Sequence, residues 1–528
     1  MDPIKITIDG REVVSTKGKT VIQAAAEVGI AIPHYCYHPK LSIAGNCRMC
    51  LVEIEKMPKL QIACNTQIAE GMSVLTQSPK VLTARKSVME FLLINHPVDC
   101  PICDQAGECW LQDYYMQHDQ QESRFSERKE HDRKREIFGP NIVFDGERCI
   151  KCTRCVRFLQ EITHTNELTV IERSDDSTIA LFPGTVLDNP LSANVVDICP
   201  VGALTDRDFR FKVRVWYLQK TRSVCPGCST GCNISVETYQ NRIARFKPRV
   251  NEEVNSHWLC DEGRYCFHDL TGGERLTTPM IRQEGGLVPA TWEQALQAAV
   301  NGLRGAGSLA GILSARNTNE EAYLFARLMK NLSADAALEV VYEEDELTET
   351  EKILKSPDRS PNFRGARDMG VSDGGFEPLM NRLVAGEFSG AYVAGDDILT
   401  LSGNSAALRN ALEKLSFLVV QDIRLTETAK LAHVVFPSTH FGEKEGTYTN
   451  GKGRVQKLNQ AVIPPVGALP DTDIFLRLLE LSGERPTWET PSQIFDALTQ
   501  EKAAYRGLSY AALGDIGVAL GGGAAEPA

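Results

Sequence analysis

Cys149-Ile150-Lys151-Cys152-Thr153-Arg154-Cys155, followed far downstream by Cys199-Pro200, is the stretch that decides how this chain reads. Two residues separate successive cysteines, so three thiolates sit on one short loop and cap one face of a [4Fe–4S] cubane. The distant Cys-Pro closes it. In two-cluster ferredoxins the Cys-Pro cysteine serves the other cluster. Only one such triplet occurs here, so Cys199 is read as returning to its own. Zinc is disfavoured for this spacing.

Three further sets flank the motif. Cys36, Cys47, Cys50 and Cys64 follow C-x10-C-x2-C-x13-C. The inner pair shares one tight loop, and the small residues Ala44 and Gly45 ahead of it let backbone amides approach cluster sulfurs. In a β-grasp domain this suits a [2Fe–2S] cluster, although the first gap is not the plant ferredoxin one and zinc stays open. His96, Cys100, Cys103 and Cys109 follow H-x3-C-x2-C-x5-C, and one histidine with three cysteines serves zinc and iron–sulfur about equally well. His96 is taken as a ligand because it directly precedes the cysteines and Pro97 holds the chain there. A neutral imidazole in place of a thiolate leaves a cluster less negative and raises its potential. Cys225, Cys228, Cys232 and Cys260 follow C-x2-C-x3-C-x27-C. This is not the doubled Cys-x2-Cys of a zinc ribbon, so a third cubane is favoured. Cys266 is left over and reads as a buried structural thiol. His34, His38 and His118 fit no ligand spacing and read as ordinary histidines.

All sixteen cysteines of the 528-residue chain lie between Cys36 and Cys266. Hydrophobic residues at 42% and charged residues at 24% exclude a disordered or fibrous chain. A net charge of -12 argues against binding nucleic acid through a basic surface. No apolar run approaches the ~18 residues of a membrane-spanning helix. Met1-Asp2-Pro3-Ile4-Lys5 lacks a basic-then-apolar pattern, so secretion is not expected. In an intracellular chain so many cysteines read as metal ligands rather than disulfides.

Alternation over Ile4 to Ile8, the Asp9-Gly10 turn signal, a return strand at Val13-Val14 and a helix over Thr20 to Val28 predict a β-grasp domain across 1–78, with strands at Leu51 to Ile54 and Leu60 to Ala63. A helix from Pro79 to Asn95, with Val81, Ala84, Val88, Phe91 and Leu92 on one side, opens a histidine-and-cysteine [4Fe–4S] domain over 79–118. Residues 119–139 carry both charge signs and read as a solvated linker. A ferredoxin-like [4Fe–4S] domain is expected over 140–217 and the fourth set over 218–274. Beyond lies an α/β region at 275–515, with a helix capped at Thr291-Trp292-Glu293-Gln294 and buried strands at Leu309 to Leu313, Ala391 to Ala394, Phe417 to Val420 and His433 to Phe436. A flexible tail is expected over 516–528. Gly305-Ala306-Gly307-Ser308-Leu309-Ala310-Gly311 misses the dinucleotide fingerprint spacing and precedes its strand, so no nucleotide site is assigned.

The four sets, in this order, resemble the large iron–sulfur subunit of respiratory complex I, the NADH:quinone oxidoreductase. The resemblance implies one [2Fe–2S] cluster on Cys36, Cys47, Cys50 and Cys64, and [4Fe–4S] clusters on the other three sets, the fourth lying off the main electron path. Arg275-Leu276-Thr277-Thr278-Pro279-Met280 and Glu443-Lys444-Glu445-Gly446-Thr447-Tyr448-Thr449-Asn450 resemble motifs of molybdopterin oxidoreductases. No cysteine follows Cys266 to ligate molybdenum, and Glu262 stands where the catalytic enzymes carry lysine. A degenerate scaffold without molybdenum cofactor is implied.

The implied task is electron transfer with no catalytic side chain on this chain. FMN and NADH would sit on a partner subunit, electrons would arrive through that side's clusters and leave to ferredoxin-like and quinone-site subunits, and a small [2Fe–2S] subunit would complete the entry arm. The place implied is the cytoplasmic face of the inner membrane, reached through partners. Two other readings remain open: the electron-transfer part of a soluble NAD-linked formate dehydrogenase or hydrogenase, and a zinc-stabilised scaffold.

Overall fold

Ile4, Ile6 and Ile8 alternate inward along Pro3–Ile8, and Asp9 and Gly10 both take positive φ, as a type I′ turn requires before the return strand Arg11–Thr16. The computed structural model describes residues 3–119, 122–372 and 374–521, apart from the side chain of Asp175. The chain divides into two units, Met1–Leu218 and Gln219–Ala528. Among the described residues no helix is long and apolar enough to cross a membrane.

In the first unit the hairpin joins Ser73–Leu75, Leu51–Ile54 and Gln61–Ile62 in a five-stranded sheet. Pro3–Ile8 runs parallel to Ser73–Leu75, and the helix Val21–Glu27 packs its Val21, Ile22, Ala24 and Ala25 on the sheet. This is the expected β-grasp arrangement. The helix opens at Thr20 with a capping box closed by Gln23, a local signal of the kind that also marks Thr291.

Pro79–Leu93 is helical, but its face is rotated from the predicted one. Val81, Arg85 and Met89 are buried, whereas Phe91 is 73% exposed. A fully buried arginine at the centre of the stripe defeats any reading by apolar periodicity. Residues 122–139, expected as a solvated linker, carry specific partners. Lys129 donates to the carbonyls of Leu93 and His96 at 2.8 and 2.7 Å, and Glu136–Ile137 pairs with the strand Ile142–Phe144. The mixed charges are spent on such contacts: Glu147 meets both His131 and Lys134. Ile142–Phe144 also pairs with Leu204–Asp206, and the helices Arg154–Glu161 and Asn194–Ile198 complete this ferredoxin-like part.

The second unit begins with an antiparallel sheet of Gln219–Val224, Asn233–Tyr239 and Arg242–Pro248, which the sequence did not lead us to expect. Its larger sheet has seven strands. Val434–Pro437, Phe417–Asp422, Gly390–Ala394, Leu309–Leu313 and Ala337–Val340 are parallel, and the hairpin Met280–Gln283 with Gly286–Pro289 adds an antiparallel edge. Apolar clusters cover both faces, as a doubly wound sheet demands. Helix Trp292–Ala306 carries the predicted capping box at Thr291 and Gln294. Part of the segment expected as tail is strand: Val518–Ala519 pairs with Arg454–Leu458. Main-chain pairing to a buried edge orders a stretch whose composition reads as loose. The remainder of that tail, 522–528, and the start Met1-Asp2 lie outside the described residues.

The scaffold contains a pH-sensitive group. Glu320 is fully buried in the first turn of helix Asn319–Leu332, accepting from Thr447 N, Thr447 Oγ1 and Tyr510 OH. Burial pushes its carboxyl up to about 7 from 4.5. Between those values the folded chain holds a proton the unfolded chain has lost, so this group's stabilising contribution falls as pH rises from 4.5 to about 7, then levels. The swing is about 3 kcal/mol. Glu320→Gln is expected to flatten the dependence of the denaturation midpoint on pH across that window; an unchanged slope would contradict the assignment.

Candidate iron–sulfur centres

Each predicted set is built from one tight loop plus ligands delivered by neighbouring elements. In the first, the loop after helix Val21–Glu27 turns through left-handed Gly45 and Arg48 and delivers Cys47 and Cys50 ahead of strand Leu51–Ile54. The four thiols influence one another most strongly in two pairs, Cys36 with Cys47 and Cys50 with Cys64. The neighbouring Cys47 thiol is the main influence holding Cys36 down to about 5, while Cys47 itself is pushed up. A two-and-two division suits a [2Fe–2S] centre, whose two irons each take two protein ligands.

In the second set Cys100 opens the turn Cys100–Ile102, Cys103 donates its N–H to Asp99 O at 3.1 Å, and Cys109 caps helix Trp110–His118. Burial raises both Cys103 and Cys109, the latter to about 12, and Cys109 also feels the charge of Cys103. Burial lowers His96 to about 4, helped by the cation of Arg148, which keeps the imidazole neutral at pH 7 as a ligand must be. Arg148 also faces Cys103 and bonds Asp99 and Asp145. Gly202 is required here: a Cβ on it would lie 2.5 Å from Cys103 Sγ.

In the third set Lys151 and Thr153 adopt positive φ on alternate residues, curling the loop so that Lys151 N–H donates to Cys149 Sγ at 3.3 Å. Cys155 follows in the first turn of helix Arg154–Glu161, and Cys199 ends helix Asn194–Ile198. Cys149, Cys152, Cys155 and Cys199 line one cavity with Phe144 and Val201. Burial pushes Cys152 up to about 11.

The fourth set lies in the second unit. Cys225 follows strand Gln219–Val224 and bonds back to Cys232 O at 2.8 Å, and Cys260 caps helix Asp261–Tyr265. Cys225, Cys228, Cys232 and Cys260 line one cavity. A Cβ on Gly263 would stand 3.1 Å from both Cys225 Sγ and Cys260 Sγ. Glu262 and Lys355 complete the wall as an ion pair, with Asp345 also 2.7 Å from Lys355 Nζ. Cys266 is only partly buried, not fully as expected. Its thiol donates to Gly263 O at 3.3 Å, the carbonyl that also accepts from Cys225 Sγ at 3.7 Å.

These donors fit clusters. Among the described residues no three His, Cys, Asp or Glu side chains gather tightly enough for a single metal ion. The third and fourth sets instead surround a cavity with four thiols, the arrangement a multi-iron group takes.

At the carboxyl ends of the parallel strands, where doubly wound sheets bind ligands, the second unit is acidic and internally paired. Asp422 is buried and Asp396 partly so, and desolvation raises them to about 7 and about 6. Arg275 makes a forked pair with Glu443, held down to about 2. Lys444 bridges Glu321 and Asp471.

The chain is 44% identical over 301 residues to the G subunit of the NADH-quinone oxidoreductase of Rickettsia bellii, covering 57% of this chain and 44% of that protein. The NADH-ubiquinone oxidoreductase 75 kDa subunit of Reclinomonas americana is 41% identical over 334 residues, 63% of this chain and 48% of the relative. The chain is similar to these oxidoreductase subunits over the matched part. The mitochondrial 78 kDa subunit of Neurospora crassa is 47% identical over 297 residues, 56% of this chain and 39% of its own length. The chain thus spans less than half the length of these three relatives. Family models match in order: a 2Fe-2S iron-sulfur cluster binding domain at residues 1–79, the NADH-ubiquinone oxidoreductase-G iron-sulfur binding region at 85–124, the ferredoxin-like domain of NADH-quinone oxidoreductase subunit 3 at 139–205, a molybdopterin oxidoreductase Fe4S4 domain at 218–270, and molybdopterin oxidoreductase at 275–346 and 346–481.

Reading ligands alone overlooked the cations around them. Arg148, Arg154 and Arg157 interleave with the cysteines of the third set, a visible sequence signal. Lys355 comes from a distant turn and leaves no local trace.

Proposed function

We propose that the chain is an electron-transfer subunit of an NADH:quinone oxidoreductase, receiving electrons from a flavin-bearing, NADH-oxidising partner and passing them toward quinone. The observation that carries this is the cavity of the third set, walled by Cys149, Cys152, Cys155 and Cys199, in a chain 41% identical to the 75 kDa subunit over the matched part. When bound, the clusters supply one-electron donors and acceptors. Cys36, Cys47, Cys50 and Cys64 hold a [2Fe–2S] cluster. His96, Cys100, Cys103 and Cys109 hold a [4Fe–4S] cluster, as do Cys149, Cys152, Cys155 and Cys199, and Cys225, Cys228, Cys232 and Cys260.

The chain's part is to bury the thiols, exclude water and set ligand charge. No side chain is assigned a catalytic role. The α/β region serves as a scaffold without molybdenum: its strand ends present carboxylates to any anionic pterin, and no thiol follows Cys266. Partners are the flavin subunit, a small [2Fe–2S] subunit and ferredoxin-like and quinone-site subunits, with attachment at the cytoplasmic face of the membrane through them.

Metal analysis with low-temperature EPR tests the reading. About fourteen iron atoms per chain are expected, with one [2Fe–2S] and three [4Fe–4S] signals on reduction. About four zinc atoms and no visible absorbance would overturn it.

A further inference from the structure

Arg154 and Arg157, both in helix Arg154–Glu161, are buried at 2% and 8% exposure. Each reaches from the third ligand set to the first. Arg157 Nη2 donates to Cys36 O at 2.6 Å and to Cys152 O at 3.2 Å, so one nitrogen joins ligand residues of two sets. Its Nη1 donates to Ser42 O, and its Nε to Thr153 Oγ1 at 3.3 Å. Arg154 donates to Tyr37 O, beside Cys36, and to Ile198 O, beside Cys199, at 3.2 Å for the latter. Its guanidinium also lies 4.6 Å from the centre of the Trp110 ring.

All these acceptors are neutral, and among the described residues neither guanidinium pairs with a carboxylate. A buried charge left unpaired is costly. The anions within reach are thiolates: Arg154 acts electrostatically on Cys36, Cys152 and Cys199, and Arg157 on Cys36 and Cys152. Reduction makes a thiolate-held cluster more negative, and a fixed cation in a low-dielectric setting favours that state.

We propose that Arg154 and Arg157 are shared positioning residues, a cationic clamp that raises the reduction potentials of both the centre held by Cys36, Cys47, Cys50 and Cys64 and the centre held by Cys149, Cys152, Cys155 and Cys199. This rests on the electron-transfer reading. Two neighbouring centres governed by one pair of charges respond together, and the interleaved sequence Cys152-Thr153-Arg154-Cys155-Val156-Arg157 places the clamp on the same loop as the ligands.

The test is an EPR-monitored dithionite titration of the full chain, with iron counted in parallel, for the wild type, Arg154→Met, Arg157→Met and Arg157→Lys. In the methionine variants both midpoints are expected to shift negative while the signal of the fourth set stays in place. Arg157→Lys keeps the charge but loses the forked bonds, and is expected to restore both midpoints close to wild type. Unchanged midpoints with iron retained, or a shift at one centre alone, would overturn the shared clamp. If the methionine variants lose iron, Arg157→Lys decides: iron and midpoints retained uphold the clamp, and iron lost there too overturns it in favour of a hydrogen-bonding scaffold. Wild-type chain that takes zinc in place of iron would instead sink the electron-transfer reading itself.

Discussion

Cys152→Ser is expected to delete one [4Fe–4S] signal and to abolish NADH-to-quinone electron flow in the assembled complex. Cys152 is the middle thiol of the C-x2-C-x2-C loop and faces the cavity of its set. Serine offers a hydroxyl that stays protonated at neutral pH, so one corner of the cluster loses its anionic ligand. The position makes the loss decisive. Arg157 ties Cys152 to Cys36 of the first set, and Gly202, three residues after Cys199, abuts Cys103 of the second. The third set therefore touches both of the other sets of its unit. Cys228→Ser is the matched control. It should also remove one cubane signal, because Cys228 lines the fourth cavity, yet spare most of the flux if that centre is off the path. Equal loss of flux in both variants, each correctly assembled, would defeat the off-path assignment.

Lys444→Met is expected to destabilise the second unit by about 3–5 kcal/mol, the usual cost of stripping one partner from a buried ion pair. Lys444 Nζ lies 2.8 Å from Glu321 Oε2 and 3.1 Å from Asp471 Oδ2, with all three side chains buried. The two carboxylates raise the lysine, which stays charged at every accessible pH despite its burial. Methionine fills the stem volume but leaves both carboxylates facing each other. Glu321 keeps Asn317 and Thr318 N–H as donors, and Asp471 keeps Gln421, so the fold should survive in weakened form. Urea denaturation followed by tryptophan fluorescence measures this. Adding Asp471→Asn should recover part of the loss by removing one of the stranded charges; a cost under about 1 kcal/mol for Lys444→Met would mean the triad does not hold the unit together.

Much of the site could be read from residue order because its short-range part is covalent geometry. Two residues between cysteines force both thiols onto one turn whatever surrounds them, so Cys47 with Cys50, Cys100 with Cys103, Cys149 with Cys152 and Cys155, and Cys225 with Cys228 were legible as pairs or triplets. The hairpin at Asp9-Gly10, the alternation of Ile4, Ile6 and Ile8, and the capping box at Thr291 are equally local. The face of helix Pro79–Leu93 was not legible, since burial of Arg85 is set by its neighbours: it bonds Leu51 O and lies near Cys50 of the first set.

The sequence by itself thus determined which cysteines share a turn, in what order, and that an α/β region follows them. Only the tertiary structure decided the division of the first set into Cys36 with Cys47 and Cys50 with Cys64, the arrival of Lys355 at the fourth cavity, and the reach of Arg154 and Arg157 to a second set. The reason is range. Backbone bonds place neighbours within a turn, but contacts between residues more than a hundred positions apart, such as Cys36 and Arg157, exist only once helices and sheets have packed.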